Sequence, residues 1–185
     1  MYYVPYPYPY PVTFYVPQYY SVRTQPDVFL PDERFFGAWQ TQKMKARIPL
    51  KDYGPNPFVV DIEAATTQNK HYRTALWTGG HLQVTVMSID VGGDIGLEVH
   101  PNTDQFLRIE QGRGVVRMGN RRDNLTIEKK VKEDSAIMVP AGTWHNVINT
   151  GNVPLKLYSI YAPPHHPRGT VHPTKEVALG EEKPE

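Results

Sequence analysis

A chain of 185 residues is long enough for one ordinary domain with a sizeable core and some tail, and short for two. Twenty lysines and arginines stand against 19 acidic residues, so the chain as a whole lacks the positive excess that drives non-specific nucleic-acid binding. It has no cysteine, which excludes disulfides and thiolate ligands and leaves histidine, carboxylate or amide oxygen to hold any metal.

Residues 1–20 carry eight of the twelve tyrosines and five prolines. Alternating Pro with Tyr blocks both helix interiors and central strands, which predicts an extended, polyproline-like, flexible arm. This start lacks the basic and apolar regions of a signal peptide, and the chain has no apolar run long enough to span a bilayer. A cytoplasmic, membrane-free protein is the expectation; the composition of the arm, similar to that of bacterial spore-coat and surface proteins, suggests the alternative location. Residues 21–71 are expected to form a strap on the domain, with a short helix over Glu63 to Asn69 capped by Asp61.

From residue 72 the pattern changes to short β-type runs separated by turn signals. In order these are TALWT, HLQVTVMSIDV, GLEVH, DQFLRIEQ, GVVRM, NLTIEKKV, AIMVP, TWHNVIN and PLKLYSIYA, with Gly, Asn, Asp and Pro between them. Such spacing signals an all-β sandwich or barrel over residues 72–163. Residues 164–185 turn polar and read as a strap with a loose tail, in which His165, His166 and His172, without metal-ligand spacing, are expected to be solvated, a contribution to a site being the alternative. Lys129, Lys130 and Lys132 are read as charges that protect an exposed hairpin from edge pairing.

Four residues in the β region carry the chemistry. Glu98 and His100 are two apart, so on one strand both side chains leave the same face. Gln105 follows the Pro101-Asn102-Thr103 turn, and His145 comes from a separate hairpin after Pro140-Ala141-Gly142. If the four converge, two imidazoles and a carboxylate suit a divalent first-row metal. Glu98 lies between Leu97 and Val99, where an unpaired charge is costly, and its partner is either that metal or an arginine. Arg73, just before the first strand, is a candidate for reaching a substrate anion.

These residues resemble the two motifs of the cupin superfamily. Gly92, Glu98, His100, Gln105 and Gly112 keep every spacing of the first motif; Pro140, Gly142, His145 and Asn149 keep those of the second, in which Asp134 replaces the initial glycine. The family usually has histidine where Glu98 stands and glutamate where Gln105 stands, so the negative charge has moved between ligand positions. The resemblance implies a double-stranded β-helix, or jelly-roll barrel, with extended N- and C-terminal straps. It also implies one divalent metal ion (iron, manganese, nickel or zinc) held by Glu98, His100 and His145, with Gln105 a fourth ligand or a hydrogen-bond partner of a metal-bound water. Asn149 and Trp144 are expected to be structural.

Cupins of this size include phosphosugar isomerases, dioxygenases and seed-storage-like binders. The expected function is a metal-dependent enzyme on a small polar ligand, isomerase-like or dioxygenase-like, and a homodimer. The other reading is a non-catalytic, spore-coat-type assembly protein that connects copies through its Tyr/Pro arm.

Overall fold

Nine strands and two helices form among residues 47–181, which are those described by this computed structural model. The predicted arm over residues 1–20, and the strap as far as residue 46, lie outside the described residues. Among those described, no helix is long and apolar enough to cross a membrane.

Helix α1 (Ile62–Gln68) opens on Asp61, whose Oδ1 accepts a hydrogen bond from the Ala64 amide at 2.9 Å. It is followed by β1 (Arg73–Thr78), β2 (Gln83–Ile89), β3 (Asp104–Gln111), β4 (Arg113–Gly119), β5 (Ile127–Lys132), β6 (Ala136–Val139), β7 (Trp144–Asn149) and β8 (Leu155–Ala162). Residues 164–181, expected as a strap and loose tail, contribute strand β9 (Val171–His172) and helix α2 (Lys175–Glu181). A six-stranded sheet runs in the order β6-β3-β8-β2-β1-β9 and faces a three-stranded sheet, β5-β4-β7.

The register decides what enters the barrel. Met87, Leu157 and Ile109 stand side by side across β2, β8 and β3; two residues further along come Thr85, Ser159 and Leu107, and then Gln83, Tyr161 and Gln105. All nine are buried. The interior therefore changes character along its length, with an apolar end that includes Ile89, Leu155, Val116 and Val147, and a polar end at the mouth. Fully burying each such Leu or Ile contributes about 1.5–3 kcal/mol.

A second cluster covers the outer face of the large sheet. Ile48, Leu50, Phe58, Val60 and Ile62 pack against Leu76 and Val86. Asp52 fastens this strap by accepting from Thr78 Oγ1 at 2.6 Å and from the amides of Gly54 and Gly169, each at 2.9 Å. Lys156, buried under α1, donates to the carbonyl of Asn69 at the helix C-terminus and to Ser88 Oγ, placing a cation where the helix dipole favours one.

Three motif glycines, Gly92, Gly112 and Gly142, have φ of +75°, +91° and +77°, and Asp134, standing where the family has glycine, has φ of +67°. The backbone makes a left-handed turn at Asp134 as well, which an Asp tolerates better than most residues. Asn149 ties the turns of this region together: its Nδ2 donates to the carbonyls of Ile89, Asp90 and Val153, and its Oδ1 accepts from Gly151 N. Lys129, Lys130 and Lys132 are exposed on the edge strand β5.

Candidate metal centre

The run GLEVH does not form a strand. Gly96, at φ of +87°, interrupts it, and the segment from Gly93 to Glu98 instead lies along β7 through single backbone bonds. Ile95 N donates to Val147 O at 3.0 Å, Glu98 N to His145 O at 3.0 Å, and His145 N to Glu98 O at 2.9 Å. Glu98 thus sits directly across from His145. His100 follows two residues later, its carbonyl held by the Gly142 amide at 2.9 Å. The convergence expected from a shared strand face is produced by this docked loop.

Glu98 Oε1 lies 3.3 Å from His100 Nε2 and 3.2 Å from His145 Nε2. One ligand atom from each of the three residues falls within 4.8 Å of the others, a set that could hold a metal ion. Both histidines are buried, and 17 % of the Glu98 side chain is accessible. Although these contacts are close, neither Nε2 has an aligned hydrogen-bond partner among the described residues. Burial acts to raise the Glu98 carboxyl, but the adjacent imidazoles of His100 and His145 outweigh it and hold the group well below the usual carboxylate range, so it is ionised.

His145 Nδ1 lies 3.0 Å from the carbonyl of Thr143. A carbonyl can only accept, so Nδ1 carries a proton, and Nε2 is the nitrogen left to face the centre. Gln105, buried at the start of β3, donates from Nε2 to Ser159 Oγ at 2.9 Å, while its Oε1 has no hydrogen-bond partner among the described residues. An orphaned carbonyl oxygen and two orphaned imidazole nitrogens beside an ionised carboxylate fit a hard or borderline divalent cation.

The fold agrees with what is found in known proteins. The profile of the Cupin domain matches residues 85–161. The Uncharacterized protein YrkC of Bacillus subtilis is 70 % identical over 133 residues, covering 72 % of this chain and 72 % of the relative. The crystal structure of BH2720 from Bacillus halodurans is 66 % identical, covers 70 % of this chain and 98 % of that one, and superposes with a TM-score of 0.70. The chain belongs to the cupin family.

In this cupin the C-terminal histidines are not a solvated strap. His166 and His172 are buried, and only His165 is exposed, with its ring centroid 4.1 Å from that of His100. Gln83 brings them there. Its Oε1 accepts from the amides of His165 (3.3 Å) and His166 (2.9 Å), and its Nε2 donates to His166 O (2.9 Å) and Thr78 Oγ1 (3.0 Å). Arg73, considered for a substrate anion, is buried with Nη1 3.5 Å from His172 Nδ1; His172 Nε2 lies 3.0 Å from Glu181 Oε2. Trp144 opens β7 with Arg122 over its ring at 5.7 Å.

The signal for Gln83 was present in the sequence: a long polar side chain on the same strand face as Met87 and Ile89 has to find partners inside the barrel. Replacing Gln83 with alanine strands the buried amide and carbonyl of His166 and the part-buried amide of His165, and stability should fall by about 2–4 kcal/mol. Urea unfolding checks this; an unchanged midpoint would refute the anchoring role.

Proposed function

We propose that this cupin is a metal-dependent enzyme in which Glu98, His100 and His145, with Gln105 as the fourth donor, hold one divalent first-row ion that meets a small oxygen-bearing substrate at the barrel mouth. The observation that carries the reading is the misalignment of the triad: two buried imidazole nitrogens 3.2–3.3 Å from an ionised carboxylate, neither hydrogen-bonded to it. Bound there, the ion supplies Lewis-acid polarisation of a substrate carbonyl or hydroxyl pair, or dioxygen activation if it is iron.

The residues of the chain divide the remaining work. Glu98 contributes the single negative charge of the donor set, and His145 is fixed in the ligating tautomer by Thr143. Gln105, anchored on Ser159, offers a neutral oxygen, so the donor set carries one charge in total. Tyr161, packed edge-on to His100 at a centroid distance of 5.7 Å, walls the site on the β8 side and restricts water.

The test is metal analysis of protein purified without added metal, followed by calorimetric titration. One ion per chain is expected, removed by chelation. Iron favours the dioxygenase-like reaction, whereas manganese, nickel or zinc leaves the isomerase-like and binding roles open. A chain that takes up no first-row divalent ion at millimolar concentration refutes the proposal.

A further inference from the structure

We propose that Asp94 is a positioning residue of the metal centre: clasped between β7 and helix α2, it sets where Glu98 stands and ties the C-terminal helix to ion binding. The proposal rests on the metal-binding reading above.

The need for such a residue follows from the backbone. Glu98 is carried by the docked loop and not by a strand, and Gly96, at φ of +87°, lies two residues before it. A glycine leaves the chain free to pivot there, so the carboxylate keeps its place only if the loop is fixed upstream of the pivot. Backbone bonds fix it on both sides of Asp94. Gly93 O accepts from Asn149 N at 2.9 Å and Ile95 N donates to Val147 O at 3.0 Å, which sets the register on β7. The hydroxyl of Tyr72 donates to Ile95 O at 2.9 Å.

Asp94 joins these anchors to the helix by using both carboxylate oxygens. Oδ2 accepts from Asn146 Nδ2 at 2.8 Å, and Oδ1 accepts from Nζ of Lys175, the first residue of α2. Asn146 adjoins the ligand His145 on β7. One side chain therefore connects the strand of one ligand, the loop of another and the C-terminal helix. The helix is seated on the same place. Ala178 is buried in one cluster with Tyr72 and Ile95, and Lys175 Nζ lies 3.8 Å from where a Cβ at Gly96 would stand.

Asp94 is not among the residues whose donor atoms cluster, so it acts on the ion through Glu98. The Asp94 and Lys175 side chains are 32 % and 29 % accessible, and an ion pair in that setting contributes little to stability by itself. Its effect is on placement. Groups that only orient a metal ligand change metal affinity by about 10–100-fold. The coupling is also reciprocal: whatever α2 adds to ion binding, the ion adds to the docking of α2.

The experiment uses the full chain and cobalt(II), whose visible spectrum reports the geometry of its ligands. Asp94→Ala should bind cobalt about tenfold more weakly than the parent, with a shifted spectrum. Lys175→Ala and Asp94→Asn each remove the ion pair but leave an oxygen for Asn146, and both should lose about threefold; they carry the test if the alanine variant does not fold. Asp52→Ala is the control, because that carboxylate fastens the strap on the outer face and lies apart from the donors. It should melt at a lower temperature with parental affinity and spectrum. Hydrogen exchange of residues 175–181 should slow about threefold when cobalt binds the parent, and not when it binds Lys175→Ala. Variants at residues 94 and 175 as tight as the parent, an equal loss in Asp52→Ala, or exchange in α2 indifferent to cobalt overturns this proposal alone. A parent chain that takes up no cobalt overturns the metal reading and this proposal together.

Discussion

A His145→Ala variant should bind zinc or cobalt at least about a hundredfold more weakly than the parent while the barrel stays folded, since even outer groups that only orient metal ligands are worth about 10–100-fold. Its side chain is fully buried, and the Thr143 carbonyl fixes its proton on Nδ1, so no other nitrogen can substitute. The backbone bonds between residues 145 and 98 do not involve the imidazole, so truncation leaves Glu98 and His100 where they are. Gln105→Ala is the comparison: it removes a neutral carbonyl and should cost about tenfold or less. Calorimetric titration of both variants, with thermal unfolding as the control, separates the roles. Equal losses would mean that Gln105 is as strong a ligand as the histidine.

The second large effect is acid sensitivity from His166. Burial, and then the charge of Arg73, pull its pKa from the usual 6.5 down to about 2. The folded chain therefore keeps this imidazole neutral at a pH where the unfolded chain protonates it. Because the unfolded state binds the extra proton, the stabilisation is complete above pH 6.5 and is lost progressively as the pH falls towards 2, at up to about 1.4 kcal/mol per pH unit. Asp52 and Asp94 add a separate window. Burial opposes their ionisation, but hydrogen bonds from Thr78 and Gly169 to Asp52, and from Lys175 and Asn146 to Asp94, leave both below 3.8. Their contribution is complete above that value and disappears as the pH falls through the folded-state values. Urea unfolding at pH 7 and pH 5 should show a loss of up to about 2 kcal/mol in the parent that is absent from His166→Gln. An identical pH profile in the two proteins would refute the assignment.

Much of this was legible in the sequence because strands announce themselves locally. DQFLRIEQ is β3 residue for residue, and the turns between runs fell at Gly and Asn as their backbone preferences require. The motif spacing carried the centre itself: Glu98, His100 and His145 meet even though GLEVH is a docked loop and not a strand. What stayed illegible depended on closure across the chain. Nothing in the spacing of His165, His166 and His172 says that His166 returns 83 residues to Gln83 and His172 returns 99 to Arg73, and β9 is only two residues long. A polar strap with proline on either side looks the same whether it is solvated or clamped. The decisive clue lay with its partner, the buried glutamine of β2.

The graded interior of the barrel has a consequence for how this protein can change. Because its hydrocarbon floor and its hydrophilic rim occupy successive rungs of the same strands, substitutions at Leu157 or Ile109 should alter melting temperature with little effect on what is bound, whereas those at Ser159 or Gln105 should do the reverse. Chemistry at the top can then diversify over a foundation that need not be rebuilt, so long as each strand keeps its two-residue step.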